Sequence, residues 1–486
     1  MLKFAPAQPP TQPPAMSANT PTKLGHELRQ LWRIAWPLLV AQTAQMGTGV
    51  VDTVMAGRYN DQDLAAIAIG FNIWLPLYLL ILGTLFATAT IVAQDFGAGR
   101  LQHIRDQLPQ ALWLSLFISL LLAPICYFSQ PVLSLLGLQA STALKTEAYI
   151  QMVAFGFPAV GIFMALRYHT QGVGSTTPFA AASITGFLAN IPLNYAFIYG
   201  HFGLPAMGAE GCGVATALSM WLSAVIIVAY VLTARSLRPY LPPARPVAPD
   251  WQQMREILRI GVPVGLTFFL EVGVFSLIAL MVATLGDTAM AAHQIAFNIW
   301  DMFYIPMLAV GTAMATRIGH AIGAGSELRI RQALLVGSVM AAAISLLTMV
   351  ILLTVPEKII SIYTDSADIR ELATRLIRLA AFFILMDAVQ IVGSFIMRAY
   401  KETRFPFVVT TISYWMIALP VGWWLGFQRA DNVSDGAAGF WYAIIIGISV
   451  CAALIIWRVK VLLQRPLPTK PETDTAAAEI AGNALS

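Results

Sequence analysis

Three carboxylates stand in stretches otherwise almost free of charge: Asp52 in GVVDTVMAG, Glu271 in FFLEVGVFS and Asp387 in ILMDAVQIVG. An acid near the centre of a membrane-spanning helix costs about 2.5–3.5 kcal/mol on insertion scales, so each one needs a reason. One reason is structural: a hydrogen-bonded group that packs two helices. The other is chemical: a site for a proton, a sodium ion or a positively charged substrate. Three such acids, with no Lys or Arg at similar depth in their spans, favour the chemical reading. Glu271 and Asp387 fall near the middles of their apolar runs, and Asp52 falls late in the first.

Amides accompany the first acid. Gln45 lies seven residues, about two turns, before Asp52 and shares its helix face. Asn190 and Asn194 in LANIPLNYAF are four apart and share a face of their own. Beside Pro192 such a pair also suits a kinked backbone that needs hydrogen bonds. An oxygen cage of Asp52, Asn190, Asn194 and Gln45 suits sodium, a hard cation; carboxylates held out of water suit protons equally. Either ion is compatible with Glu271 and Asp387 as well. Asp301 in FNIWDMFY is an additional candidate with no assigned role.

The elements that must position these groups are helices. Charged residues make up 11% of the 486, and mean hydropathy is +0.70. Apolar runs long enough to cross a bilayer begin near Leu31, Leu64, Ala111, Tyr149, Phe179, Cys212, Ile257, Ala291, Ala333, Leu372, Phe407 and Gly436. The short alternating segments of a membrane β-barrel are missing. The fold class expected is therefore an all-α polytopic membrane protein of twelve transmembrane helices.

Those twelve divide in two. The string FNIW occurs at Phe71–Trp74 and again at Phe297–Trp300, 226 positions apart, and at that offset Pro37 falls on Pro263 and Gly97 on Gly323. Further on, an offset of 228 brings Pro178 onto Pro406, Pro192 onto Pro420 and Gly211 onto Gly439. Six spans separate the copies, so both enter the membrane from the same side, as parallel repeats flanking a cleft. Gln45 is the repeat mate of Glu271, whereas Asn190 and Asn194 fall on Ala418 and Gly422. One bundle thus offers a carboxylate with amides, the other two carboxylates. The expected division is a disordered cytoplasmic tail at 1–28, a first lobe at 29–234, a cytoplasmic linker at 235–256, a second lobe at 257–462 and a disordered cytoplasmic tail at 463–486.

Charge sets the orientation. With both termini cytoplasmic, the outer face keeps seven basic residues, Arg58, Lys145, Lys358, Arg370, Arg375, Arg378 and Arg429, and the inner face the other 22 of 29. The Pro-rich start of the chain lacks the compact apolar core of a signal peptide, so the first span is expected to insert the chain. Cys126, Cys212 and Cys451 sit in or beside apolar spans, without metal-ligand spacing or a disulfide framework. A net charge of +4 gives no reason to expect a nucleic-acid partner. HExxH, GxSxG and Walker motifs are absent, and no enzyme is expected.

These stretches together resemble the multidrug and toxic compound extrusion (MATE) family, in particular its bacterial NorM-type branch. The resemblance runs from about Leu31 to Arg458 and rests on PLLVAQTAQMGTGVVDTVMAG, QDFGAG, NIPLNYAFIYG, FFLEVGVFSLIALMVATLG, AAHQIAFNIW and MDAVQIVGSFIMRAYKET in that order. It implies a secondary antiporter of the bacterial inner membrane that expels cationic and amphipathic drugs in exchange for Na+ or H+, by alternating access between the two lobes. It implies coupling roles for Asp52, Glu271 and Asp387, with Asn190, Asn194 and Gln45 in support. Some relatives carry Asp where this chain has Asn194, and Asp301 matches no position of the family's pattern. Beyond the coupling ion no cofactor is expected, nor any partner besides drugs and membrane lipids, and the chain is expected to act as a monomer. The alternative is a flippase or exporter of a lipid-linked or other large amphiphile, which would need a cationic cleft.

Overall fold

Each of the twelve apolar runs begins inside a helix. The computed structural model describes residues 24–135, 138–243 and 247–465. The first lobe contains α1 (Leu24–Tyr59), α2 (Asp61–Ala98), α3 (Leu101–Tyr127), the short α4 (Gln130–Leu135), α5 (Ala140–Ala154), α6 (Phe157–Gly172), α7 (Thr177–Tyr199) and α8 (Ala209–Thr233). A 3-10 turn at Arg238–Tyr240 opens the connection to the second lobe. That lobe contains α9 (Trp251–Ala283), α10 (Asp287–Gly323), α11 (Glu327–Thr354), the short α12 (Pro356–Ile360), α13 (Ala367–Ala399), α14 (Arg404–Thr411), α15 (Leu419–Trp423) and α16 (Val433–Leu463). Two π-helical segments, Ile412–Ala418 and Trp424–Gln428, join α14 and α15 into one span, Arg404–Gln428. No strand occurs among the described residues.

Among the described residues, ten helices are long and apolar enough to cross a membrane singly. An eleventh span is the pair α5–α6, bent by 44°. The twelfth is α1, whose 36 residues give ample length but whose composition is less apolar. The reason is local: α1 carries Gln42, Gln45 and Asp52, polar groups that a passive span would not hold.

Caps explain where helices start and stop. Asp250 accepts hydrogen bonds from the backbone N–H groups of Gln252 (2.8 Å) and Gln253 (3.4 Å). This starts α9 at Trp251, six residues before the boundary that the apolar run suggests. Likewise α1 already includes Leu24, the first described residue, ahead of the expected 29, and Glu27 is buried within it. At the other end α16 runs through Leu463. The remainder of the two expected tails, 1–23 and 466–486, lies outside the described residues. Gly99 ends α2 at φ 74°, and its N–H reaches the Asp95 and Phe96 carbonyls. A left-handed residue there is cheap only for glycine.

The lobes meet most closely at the end of the bundle that carries Leu24 and Leu463. There α2 packs along α9 and α10. A Cβ on Gly261 would stand 1.9 Å from the Thr84 carbonyl oxygen, and one on Gly323 would stand 1.9 Å from that of Gln94. Only glycine permits so close a helix approach. Gln94 Nε2 donates to the Ala399 carbonyl at 2.8 Å, and His320 Nε2 lies 2.7 Å from the Gly172 carbonyl. Arg317 grips Glu27 with two bonds, Nε to Oε1 at 2.8 Å and Nη2 to Oε2 at 2.7 Å, and both side chains are buried. Each of these contacts joins first lobe to second. At the opposite end the second lobe has a core of its own, with Val274, Ile295, Phe383 and Phe440 among its members. The closed end is the terminal end.

Candidate functional site

In the first lobe, α1, α7 and α8 bring three elements to one carboxylate. Asn194 Nδ2 donates to Asp52 Oδ1 at 2.6 Å and is 3.0 Å from Asn190 Oδ1. Thr216 of α8 donates its hydroxyl to Asp52 Oδ2 at 3.1 Å. All four side chains are buried. Hydrogen bonds to a charged group are worth roughly 1.5–3 kcal/mol each, so these donors go far towards offsetting the burial of the acid. Asn190 Nδ2 and Asn194 Oδ1 have no hydrogen-bond partner among the described residues. Amides that turn over would present more oxygen to a cation at Asp52.

Gln45 stands apart from this cluster. It is half-buried and engages the Tyr78 hydroxyl of α2. The fourth oxygen beside Asp52 belongs to Thr216 instead. Sequence reading missed Thr216 because nothing in its own stretch distinguishes it from the other Ser and Thr residues of α8.

In the second lobe, α9 and α13 bring Glu271 and Asp387 within electrostatic reach of each other. They do not share a hydrogen bond; each has its own donor. Gln390 Nε2 donates to Glu271 Oε1 at 3.0 Å, and Trp300 Nε1 donates to Asp387 Oδ2 at 3.1 Å. Tyr304 of α10 interacts with both charges. Trp300 belongs to the second FNIW string. Its repeat mate Trp74 donates instead to the Tyr149 hydroxyl, at 3.4 Å. Aromatic rings close around the acids: Phe275 lies 5.4 Å from Trp300 and 5.7 Å from Tyr414, and Phe383 lies 5.6 Å from Trp300. Such rings attract cations and amphiphiles through their faces.

Basic partners differ from the sequence expectation. Among the described residues, the ion pairs do not include Asp52, Glu271 or Asp387. A positive charge nevertheless acts on Glu271. Arg398, near the end of α13, is buried and interacts electrostatically with it. The guanidinium is held over the rings of Phe86, Phe268 and Phe395, at 5.3, 4.9 and 4.7 Å. Arg398 reaches Glu271 because Phe268 lies one turn before it on α9, a neighbourhood invisible along the chain. Asp301 is half-buried on α10 and interacts with Tyr304, which places it at the margin of the acid pair. No group of three or more His, Cys, Asp or Glu side chains suited to a metal ion occurs among the described residues.

The MatE family model matches residues 37–196 and again 263–424, one match in each lobe. The chain belongs to the MATE family. It is 36% identical to the multidrug resistance protein MdtK of Edwardsiella ictaluri (strain 93-146) over 449 residues, covering 91% of this chain and 97% of that protein. Among solved structures it is similar to a MATE protein in a bent conformation, with a TM-score of 0.82, 18% identity and coverage of 91% of this chain and 98% of that one. It is also similar to the eukaryotic MATE transporter AtDTX14, with a TM-score of 0.80, 18% identity and coverage of 90% and 96%. At such identities the structures speak to the fold: twelve transmembrane helices in two pseudo-symmetric bundles. This MATE protein is a multi-pass membrane transporter and not an enzyme.

Proposed function

We propose that this MATE protein is a multidrug efflux transporter of the bacterial inner membrane, expelling cationic and amphipathic drugs by antiport with Na+ or H+. The observation that carries the proposal is the pair Glu271 and Asp387, two acids in one aromatic pocket with separate hydrogen-bond donors and no ion-paired base. Two carboxylates so placed hold negative charge more cheaply with a cation or proton bound beside them. A lipophilic cation and a coupling ion would therefore compete for one site. Competition of that kind makes exchange obligatory.

Both termini are assigned to the cytoplasm on the charge asymmetry of the loops. The sealed end is then cytoplasmic, and the conformation is the one that releases drug outward. Ion binding at the acids displaces the drug; rocking of the lobes then carries the ion inward. Asp52 with Asn190, Asn194 and Thr216 forms a second cation site in the first lobe. One charge crossing about 100 mV yields about 2.3 kcal/mol, and a tenfold gradient adds about 1.4. One-for-one exchange of monovalent ions moves no net charge and leaves only the gradient. Two acidic sites permit more than one ion per drug.

The test is efflux of a cationic dye from liposomes containing the purified protein, with sodium and proton gradients imposed one at a time. Efflux driven by one of them supports antiport; efflux indifferent to both would refute it. Buried Arg398 gives the flippase alternative one observation in its favour. An anionic amphiphile that competes with the dye would support that alternative.

A further inference from the structure

Glu271 is wired to an irregular segment of the eleventh span. Gln390 Nε2 donates to Glu271 Oε1 at 3.0 Å, and the Tyr414 hydroxyl donates to Gln390 Oε1 at 2.9 Å. Tyr414 lies in the π-helical segment Ile412–Ala418. Its neighbour Trp415 donates Nε1 to the Leu270 carbonyl at 3.1 Å, one residue before Glu271. The Trp415 ring also covers Gly273, where a Cβ would meet it at 3.4 Å. The segment therefore grips α9 twice, through the carboxylate and through the backbone beside it. π turns inside α-helices occur frequently at functional sites. Among the described residues the first lobe shows no such wiring: the repeat mate of Tyr414 is Gly186, and α7 reaches Asp52 directly with Asn194.

Hydrogen-bond polarity gives this wiring a direction. Both side-chain bonds point towards Glu271, an arrangement in which its Oε1 accepts. A proton placed on Oε1 turns that oxygen into a donor, and the same Gln390 amide offers its own Oε1 as the acceptor. Meeting that demand turns the amide over, brings Nε2 to the Tyr414 oxygen and releases the Tyr414 proton from its acceptor. A sodium ion bound at Glu271 Oε1 makes the same demand, because it seeks the amide oxygen and repels the N–H. We propose that Gln390 and Tyr414 form a relay that reports the charge state of Glu271 to the π-helical segment, and so ties ion occupancy to the position of the eleventh span. The inference rests on Glu271 being a coupling acid. Other groups that act on Glu271 or respond to it are Asp387 and Arg398 of α13, Tyr304 of α10 and Cys451 of α16. None of them makes a hydrogen bond to the Gln390 amide among the described residues.

The experiment is efflux of tetraphenylphosphonium from proteoliposomes, titrated separately with external sodium and external protons. Tyr414→Phe removes one hydroxyl and should shift the half-saturating concentration of the driving ion about fivefold, the equivalent of one ordinary hydrogen bond, while the KM for tetraphenylphosphonium stays within about twofold. Gln390→Met should shift it at least as far. The double variant should match Gln390→Met, because a relay is lost once. Unchanged ion dependence in Tyr414→Phe, with or without a lower melting temperature, would overturn the relay, as would additive effects in the double variant. Glu271→Gln separates the two levels of the reasoning. If it still couples efflux to an ion gradient, the coupling role of Glu271 falls. If it abolishes coupling while Tyr414→Phe behaves as wild type, the relay alone falls.

Discussion

Removing one partner of the Glu27–Arg317 pair should open the sealed end of the molecule. The pair joins α1 of one lobe to α10 of the other through two bonds of 2.8 and 2.7 Å, and Glu27 is 1% exposed and Arg317 9%. It is the only ion pair between the lobes among the described residues. Breaking a buried pair by deleting one side leaves an uncompensated charge and costs about 3–5 kcal/mol. That cost falls on the sealed conformation alone, because separated lobes let water reach the remaining charge. At about 1.4 kcal/mol per tenfold, the ratio of sealed to open molecules should fall a hundredfold or more. Spin labels at exposed Gln102 and Arg331, one on each lobe at that end, would report the separation as a distance distribution. Glu27→Gln and Arg317→Gln should each shift the distribution to longer distances. Replacing both residues by Met should shift it less than either single change, since no charge is stranded. Distances unchanged in both single variants, or longest in the double, would refute the assignment of this pair as a latch.

Other outcomes follow from the two acid sites and the charge asymmetry. Asp52→Asn keeps the side chain's size but should abolish ion-driven efflux without unfolding the protein, while Asn194→Asp, which adds a charge beside Asp52, should change the sodium or pH dependence of transport. Glu271→Gln and Asp387→Asn should each cost most of the activity, and the double variant little more; multiplicative losses at matched expression would mean two independent sites. Single cysteines at Lys145 and Arg429 should react with an impermeant reagent from outside intact cells and a cysteine at Arg235 should not; the reverse pattern would invert the direction of transport.

The spans and their duplication are legible in the sequence because both are written in local patterns. Runs such as the one from Leu372 need no tertiary information to announce a helix, and Pro37 with Pro263, or Gly97 with Gly323, mark the repeat by position. Asp52, Glu271 and Asp387 are legible for a related reason: charge in an apolar run stands out on its own. The groups that hold these acids are not. Thr216 donates to Asp52 across 164 residues, Trp300 to Asp387 across 87, and Gln390 to Glu271 across 119. In a protein full of Thr, Trp and Gln such partners become distinct only when the helices are packed. Two faint signals were present. Trp300 lies in the repeated FNIW, and Gln390 lies three residues after Asp387, on the same helix face. Gln45 shows how far spacing alone carries. Spacing on α1 put it on the face of Asp52, but two turns separate them, and Tyr78 of α2 engages it instead.

The most direct test of ion–drug exchange reverses the usual assay. Proteoliposomes are loaded with neither drug nor ion gradient, a steep gradient of tetraphenylphosphonium is imposed across the membrane, and internal sodium and pH are recorded. Exchange predicts that drug movement one way drives sodium or protons the other way, against no gradient of their own, and that Asp387→Asn abolishes this ion movement. Drug that crosses through the protein while both ions stay still would contradict the account.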